Sequence, residues 1–170
     1  MKRERPSWDE YFLKQAILTS ERASCLKRRV GAVIVRDKRI LATGYNGAPR
    51  NVDPSCFDND SCLRREKNIE HGRDKDLCMA VHAEANAFYQ AARVGTSIEG
   101  AILYVTTFPC ISCAKGIIST GIIQVNYLFD YYGEQYDFSK LLLDKAKIEL
   151  RKLEIPKSIP LTEEELKLLR

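Results

Sequence analysis

Two short segments far apart in the chain have to meet, and that requirement restricts the fold more than any other feature of the sequence. One is His82-Ala83-Glu84; the other is Pro109-Cys110-Ile111-Ser112-Cys113, whose first cysteine lies 28 residues beyond the histidine. Each opens a stretch that reads as helix. Val81 to Val94 is alanine-rich with Gly95 placed to end it, and Cys110 to Ser119 is a short helix ended near Gly121. Cys110 and Cys113 then fall one helical turn apart and can face one metal ion. Pro109 takes a first-turn position, where a missing amide proton costs nothing. One imidazole and two thiolates make three ligands, and a tetrahedral zinc with three protein ligands keeps its fourth position for water, as catalytic sites do. Glu84, two residues from the histidine, can handle that water's proton without binding the metal. The positive ends of two converging helices favour thiolate over thiol.

The rest of the pattern supplies a scaffold. Ser7 and Glu10 have capping-box spacing, and Tyr11, Phe12, Gln15, Ala16 and Leu18 then form a largely apolar stripe, predicting a first helix from Trp8 to about Ser24. Val30 to Val35 and Arg39 to Tyr45 are two strands joined at Asp37-Lys38, a hairpin. From Asn46 onward the chain is polar and lacks apolar periodicity, with a short helix expected from Cys62 to Lys67. Ala101 to Thr106 and Ile122 to Phe129 read as strands on either side of the cysteine helix, which implies a parallel crossover. A last amphipathic helix is expected from about Phe138 to Leu153, and Thr162 with Glu165 can cap a short C-terminal one. No repeat or linker divides the sequence. Residues 1–170 therefore read as one domain, with 46–78 a cysteine-containing insertion.

With 27 basic and 23 acidic residues the net charge of +4 is too weak to argue for nucleic acid, yet compatible with a local basic site for a small anion. No apolar run approaches the roughly 20 residues of a membrane span, and Met1 to Pro6 lacks the apolar core of a signal peptide. A cytoplasmic protein with no membrane partner is expected. Two of the six cysteines belong to the metal motif, so a reducing compartment is expected and Cys25, Cys56, Cys62 and Cys78 need an explanation other than disulfides.

The H-x-E and P-C-x-x-C pair is the signature of zinc-dependent nucleobase deaminases. Together with Arg22-Ala23-Ser24-Cys25, Val30 to Val35, Ala42 to Pro49, Cys78 to Ala87 and Thr106 to Lys115, in that order, it makes the chain resemble the deoxycytidylate (dCMP) deaminases, including the late-competence operon homologues. The resemblance runs from about Trp8 to Tyr132. It implies an α/β protein with the three-layer α/β/α cytidine-deaminase fold around a central mixed sheet of about five strands. It further implies hydrolysis of dCMP to dUMP and ammonia, supplying dUMP for thymidylate synthesis. In that chemistry zinc lowers the pKa of its water, and Glu84 takes a proton from it and protonates first the ring nitrogen and then the leaving ammonia, the second proton coming from the added hydroxyl. Homo-oligomers, often hexameric, and feedback by dCTP and dTTP are implied as well, with Mg2+ accompanying a triphosphate effector.

A second, structural zinc is also implied, at Cys25, Cys56, Cys62 and Cys78, with His71 an alternative to one cysteine. Such a closed site would anchor an insertion that has no apolar core of its own. In the wider superfamily an asparagine at the place of Asn46 contacts the sugar, and Gly44-Tyr45-Asn46-Gly47 is implicated in effector binding. Lys27, followed by Arg28 and Arg29, suits a monophosphate; it stands where relatives commonly carry arginine and offers a point charge in place of a planar fork. Ser24 and Thr107 can add hydroxyl contacts, and Tyr131 or Tyr132 can lie against the pyrimidine or sugar. Ala85 and Phe88 depart from the usual residues on the histidine helix. Rival readings are a deaminase of dCTP or of a free nucleoside, a tRNA adenosine deaminase, for which a more basic surface is expected, and a silent zinc-stabilised binding protein, which has no use for Glu84.

Overall fold

The computed structural model describes residues 5–52, 55–69, 77–130, 134–156 and 159–169. Helix α1 (Trp8–Ser20) starts where Ser7 Oγ accepts the Glu10 amide at 3.1 Å. It stops four residues short of the expected Ser24. The amides of Glu21, Arg22 and Ala23 reach carbonyls only three residues back, so the last turn tightens and unwinds. Strands β1 (Gly31–Arg36) and β2 (Arg39–Tyr45) form the expected hairpin, and Asp37 and Lys38 both take φ near +55°, at 51° and 59°, the left-handed pair a two-residue turn demands. A short α2 (Leu63–Glu66) follows in the insertion. Helix α3 (Ala83–Val94), strand β3 (Ile102–Thr107), helix α4 (Ile111–Ser119) and strand β4 (Gln124–Phe129) complete the motif-bearing half.

The expected last helix is in fact two elements. Helix α5 (Glu134–Lys145) begins earlier and ends at a turn where Lys147 takes φ 59°, and Glu149–Lys152 is a fifth strand, β5. The amphipathic spacing of the leucines ran on through that turn and concealed it. Helix α6 (Glu163–Leu169) carries the complete capping box: Thr162 N donates to Glu165 Oε2 at 2.8 Å, and Glu165 N to Thr162 Oγ1 at 3.2 Å.

The sheet order is β2-β1-β3-β4-β5, with β1 antiparallel to both neighbours and β3, β4 and β5 parallel. Alternation along β1 divides the core. Ala32 and Ile34 face α3 and α4 with Leu103, Val105, Ala87 and Ile117, whereas Val33 and Val35 face α1 with Phe12 and Tyr104. Leu13, Ile17 and Leu128 continue the second layer to Leu169 of α6. This is the three-layer α/β/α architecture around a mixed sheet. It places the N-termini of α3 and α4 side by side. No helix among the described residues is long and apolar enough to cross a membrane.

Candidate metal centre

His82 and Cys110 are the N-cap residues of α3 and α4, both in extended backbone, and neither cap is closed by a side-chain hydrogen bond. The first amides of both helices therefore stay turned toward the shared end, where they favour negative charge. Pro109 lies one residue before the cap, outside α4, and not in its first turn as expected from sequence. Its fixed φ serves the extended approach to the helix.

His82 Nδ1 stands 3.3 Å from Cys110 Sγ and 3.4 Å from Cys113 Sγ. Bonds of ~2.05 Å to nitrogen and ~2.3 Å to sulfur at a tetrahedral angle separate N from S by about 3.5 Å, so both sulfurs stand from the nitrogen at the spacing one zinc ion requires. Among the described residues this is the one group whose potential metal-binding atoms all lie within 4.8 Å of one another. Cys110, Cys113 and Glu84 are buried while the histidine is exposed, which leaves the cluster open on one side. The hydrogen bond from Cys113, helped by the His82 ring, holds the Cys110 thiol down to about 4, and the same bond with burial and the Glu84 charge pushes Cys113 up. Glu84, 4% exposed and within hydrogen-bonding reach of Cys113, is pushed up by burial and by the Cys110 charge.

Helices α3 and α4 meet at Phe88. A Cβ on Gly116 would lie 2.8 Å from the Phe88 ring, so the large ring is accommodated by the missing side chain opposite. Helix α3 is in turn locked to the outer strand. Asn86 Nδ2 donates to Tyr45 O and Thr43 N donates to Gln90 Oε1, both at 2.7 Å, and Gly44 lies between them. Asn86 and Gln90 went unnoticed in the sequence, although their i, i+4 spacing on the polar side of α3 was the available signal.

The substrate and effector candidates have internal partners. Asn46 Oδ1 accepts from Val30 N at 2.7 Å and its Nδ2 donates to Arg28 O at 2.8 Å, so the amide braces the basic segment and keeps one acceptor and one donor position in hand. Ser24 Oγ accepts from Ala48 N, and Thr107 Oγ1 donates to Leu169 O at 3.2 Å in the buried contact with α6. Lys27 is exposed. Gly47 bridges to Val81 just before the metal histidine. Gly44 faces the α3 backbone, and the Tyr45 ring is the exposed part of that segment. His71 and Tyr131, with Tyr132, lie outside the described residues. Cys25, Cys56, Cys62 and Cys78 are half-buried free thiols. Burial raises the Cys56 pKa, and the other three thiols lie near enough to add to the effect.

Residues 6–129 match the family described as the cytidine and deoxycytidylate deaminase zinc-binding region. The chain is 44% identical over 147 residues to the deoxycytidylate deaminase of Saccharomyces cerevisiae, covering 86% of this chain and 45% of that protein. It is 37% identical to ComE operon protein 2 of Bacillus subtilis, covering 92% of this chain and 76% of the other. The chain thus spans less than half the length of the yeast relative. The structure of the dCMP deaminase from cyanophage S-TIM5 in complex with dCMP and dUMP superimposes with a TM-score of 0.70 at 28% identity, over 89% of this chain and 100% of that one.

Proposed function

This chain belongs to the cytidine and deoxycytidylate deaminase zinc-binding family, and on that premise we propose that it hydrolyses dCMP to dUMP and ammonia, supplying dUMP for thymidylate synthesis. The observation that carries the reading is a buried carboxyl, Glu84, beside three donors spaced for a single zinc. A purely structural site gains nothing from a desolvated carboxyl next to an open position. The choice of dCMP over other cytosine compounds is supported by the names of the relatives and by the nucleotides in the cyanophage structure.

His82, Cys110 and Cys113 would hold the zinc, which would supply the Lewis acidity that makes water a nucleophile near neutral pH. Glu84 takes one proton from the attacking water and gives it to the ring nitrogen as the water's oxygen bonds to the amino-bearing ring carbon. It then moves the remaining hydroxyl proton to the amino group, which leaves as the carbon–nitrogen bond breaks, so that water and dCMP give dUMP and ammonia. The burial of Glu84 keeps solvent from competing for that proton. Asn46 braces the Arg28–Val30 backbone and so holds Lys27 and its basic neighbours where a monophosphate can be met. Tyr131 is read as a further substrate contact, and the exposed Tyr45 as the part of its segment offered to an effector.

The same reading takes residues 1–170 as one deaminase domain acting in the cytoplasm as a homo-oligomer, a hexamer, with dCTP and dTTP as effectors and Mg2+ accompanying the triphosphate. A second zinc at Cys25, Cys56, Cys62 and Cys78, with His71 the alternative ligand, is supported by the nearness of the other three thiols to Cys56. The test measures ammonia release from dCMP, CMP, deoxycytidine, dCTP and a tRNA stem-loop, with and without dCTP·Mg2+ or dTTP. Preferential turnover of dCMP is expected; comparable turnover of deoxycytidine would remove the phosphate from the recognition. Elemental analysis should give two zinc ions per chain, falling to one in Cys56→Ser with dCMP turnover kept within about tenfold. A single zinc in the unaltered protein sinks the second site.

A further inference from the structure

One buried hydroxyl outside the donor cluster holds the peptide that carries Cys110. Ser139 lies within α5, fully buried, and donates to the carbonyl of Pro109 at 2.7 Å. That carbonyl has no place in the regular structure around it. Strand β3 ends at Thr107, and the first carbonyl used by α4 is that of Cys110, which accepts from Ala114 N at 2.8 Å. The oxygen belongs to the peptide joining Pro109 to Cys110. Because the peptide is planar, fixing its oxygen fixes the plane from which Cys110 projects its Cβ and Sγ. The approach is held at its other end too. Phe108 N donates to Phe129 O at 2.8 Å, and the Phe108 ring meets Tyr127 and Tyr136 at centroid distances of 4.9 and 4.7 Å. Ser139 and Tyr136 both come from α5, an element that contributes none of the three donors.

We infer that Ser139 is a positioning residue for the metal centre: its hydroxyl sets the Pro109–Cys110 peptide and thereby how tightly Cys110 closes on the ion. The inference rests on the reading of His82, Cys110 and Cys113 as zinc ligands. Alanine at 139 leaves a buried carbonyl unpartnered, and rotation of that peptide toward another donor carries Cys110 Sγ out of its place. Loss of groups that orient a metal's ligands costs on the order of 10- to 100-fold in affinity.

The experiment follows zinc transfer from the holoprotein to a chromogenic chelator, scoring the phase that His82→Ala removes, beside the visible spectrum of the cobalt-substituted protein. Ser139→Ala should speed that phase roughly tenfold or more and shift the cobalt bands, while Ser139→Thr, which keeps the hydroxyl, should remain near wild type. Ser20→Ala is the control for losing any buried hydroxyl: Ser20 is 1% exposed and donates to Ile17 O at 2.6 Å, on the opposite face of the sheet. It should lower stability and leave zinc transfer unchanged. Equal transfer from Ser139→Ala and wild type, or equal acceleration in Ser20→Ala, overturns the assignment. Absence of thiolate-to-cobalt absorption in the wild type would overturn the metal reading itself, and this role with it. Should the alanine variant not fold, a Ser139→Thr protein with fast release overturns the role, and one with slow release and unshifted cobalt bands supports it.

Discussion

Glu84→Gln should lower turnover of dCMP by on the order of 10⁴-fold while zinc content stays at the wild-type level. The amide fills the same buried volume but cannot accept the water's proton or return it, so both proton-transfer steps lose their carrier. Zinc is unaffected because the three donors, His82 Nδ1 and the two Sγ atoms, are complete without the carboxyl. Stability gives a second, opposite signature. A carboxyl only 4% exposed is costly to bury, and a neutral isostere removes that cost, so the melting temperature should be no lower than that of the wild type. A variant that keeps a tenth of the turnover would show that some other group carries the proton. One that loses its zinc would place Glu84 among the structural supports of the cluster.

The triad was legible because its chemistry is written in local register. His82 and Cys110 occupy N-caps and Cys113 follows one turn later, so short motifs alone fix the geometry once two helix ends meet. The hairpin, the crossover, the Ser7 cap and the Thr162 capping box were legible for the same reason. Strand β5 was not. Glu-Leu-Arg-Lys has one apolar residue and lies at the sheet edge, where only half a face is covered and no alternation is needed. Asn46, read as a ligand contact, showed its bracing role only in three dimensions, since its partners Val30 and Arg28 are 16 and 18 residues away. Ser139 is an ordinary helical serine by sequence. Its partner carbonyl lies 30 residues away across a layer boundary, and nothing in the pattern around either residue announces the contact.

Gly44 carries the second large expected effect. The Gly44-Tyr45-Asn46-Gly47 pattern suggests a turn, but Gly44 is the penultimate residue of β2 and has no left-handed backbone to explain it. Its role is close approach: a Cβ there would lie 2.2 Å from Ala83 O and 2.5 Å from Ala87 N, both backbone atoms of α3. Those atoms cannot swing aside as a side chain would. Ordinary contact requires α3 to move by about 1 Å, against the Asn86 and Gln90 bonds that tie it to the same strand. The moving end carries His82 and Glu84. Gly44→Ala should therefore cost about 3 kcal/mol of stability and lower turnover by roughly 10²-fold, because a misplacement near 1 Å at a reacting centre has an effect of that size. Gly95→Ala separates this from glycine replacement in general. Gly95 has φ 72° and open space around it, so alanine there costs about 1 kcal/mol for the left-handed backbone and should leave turnover intact. Thermal unfolding and dCMP turnover of the two variants, measured side by side, decide the matter. If Gly44→Ala behaves like Gly95→Ala, the contact between β2 and α3 does not position the site.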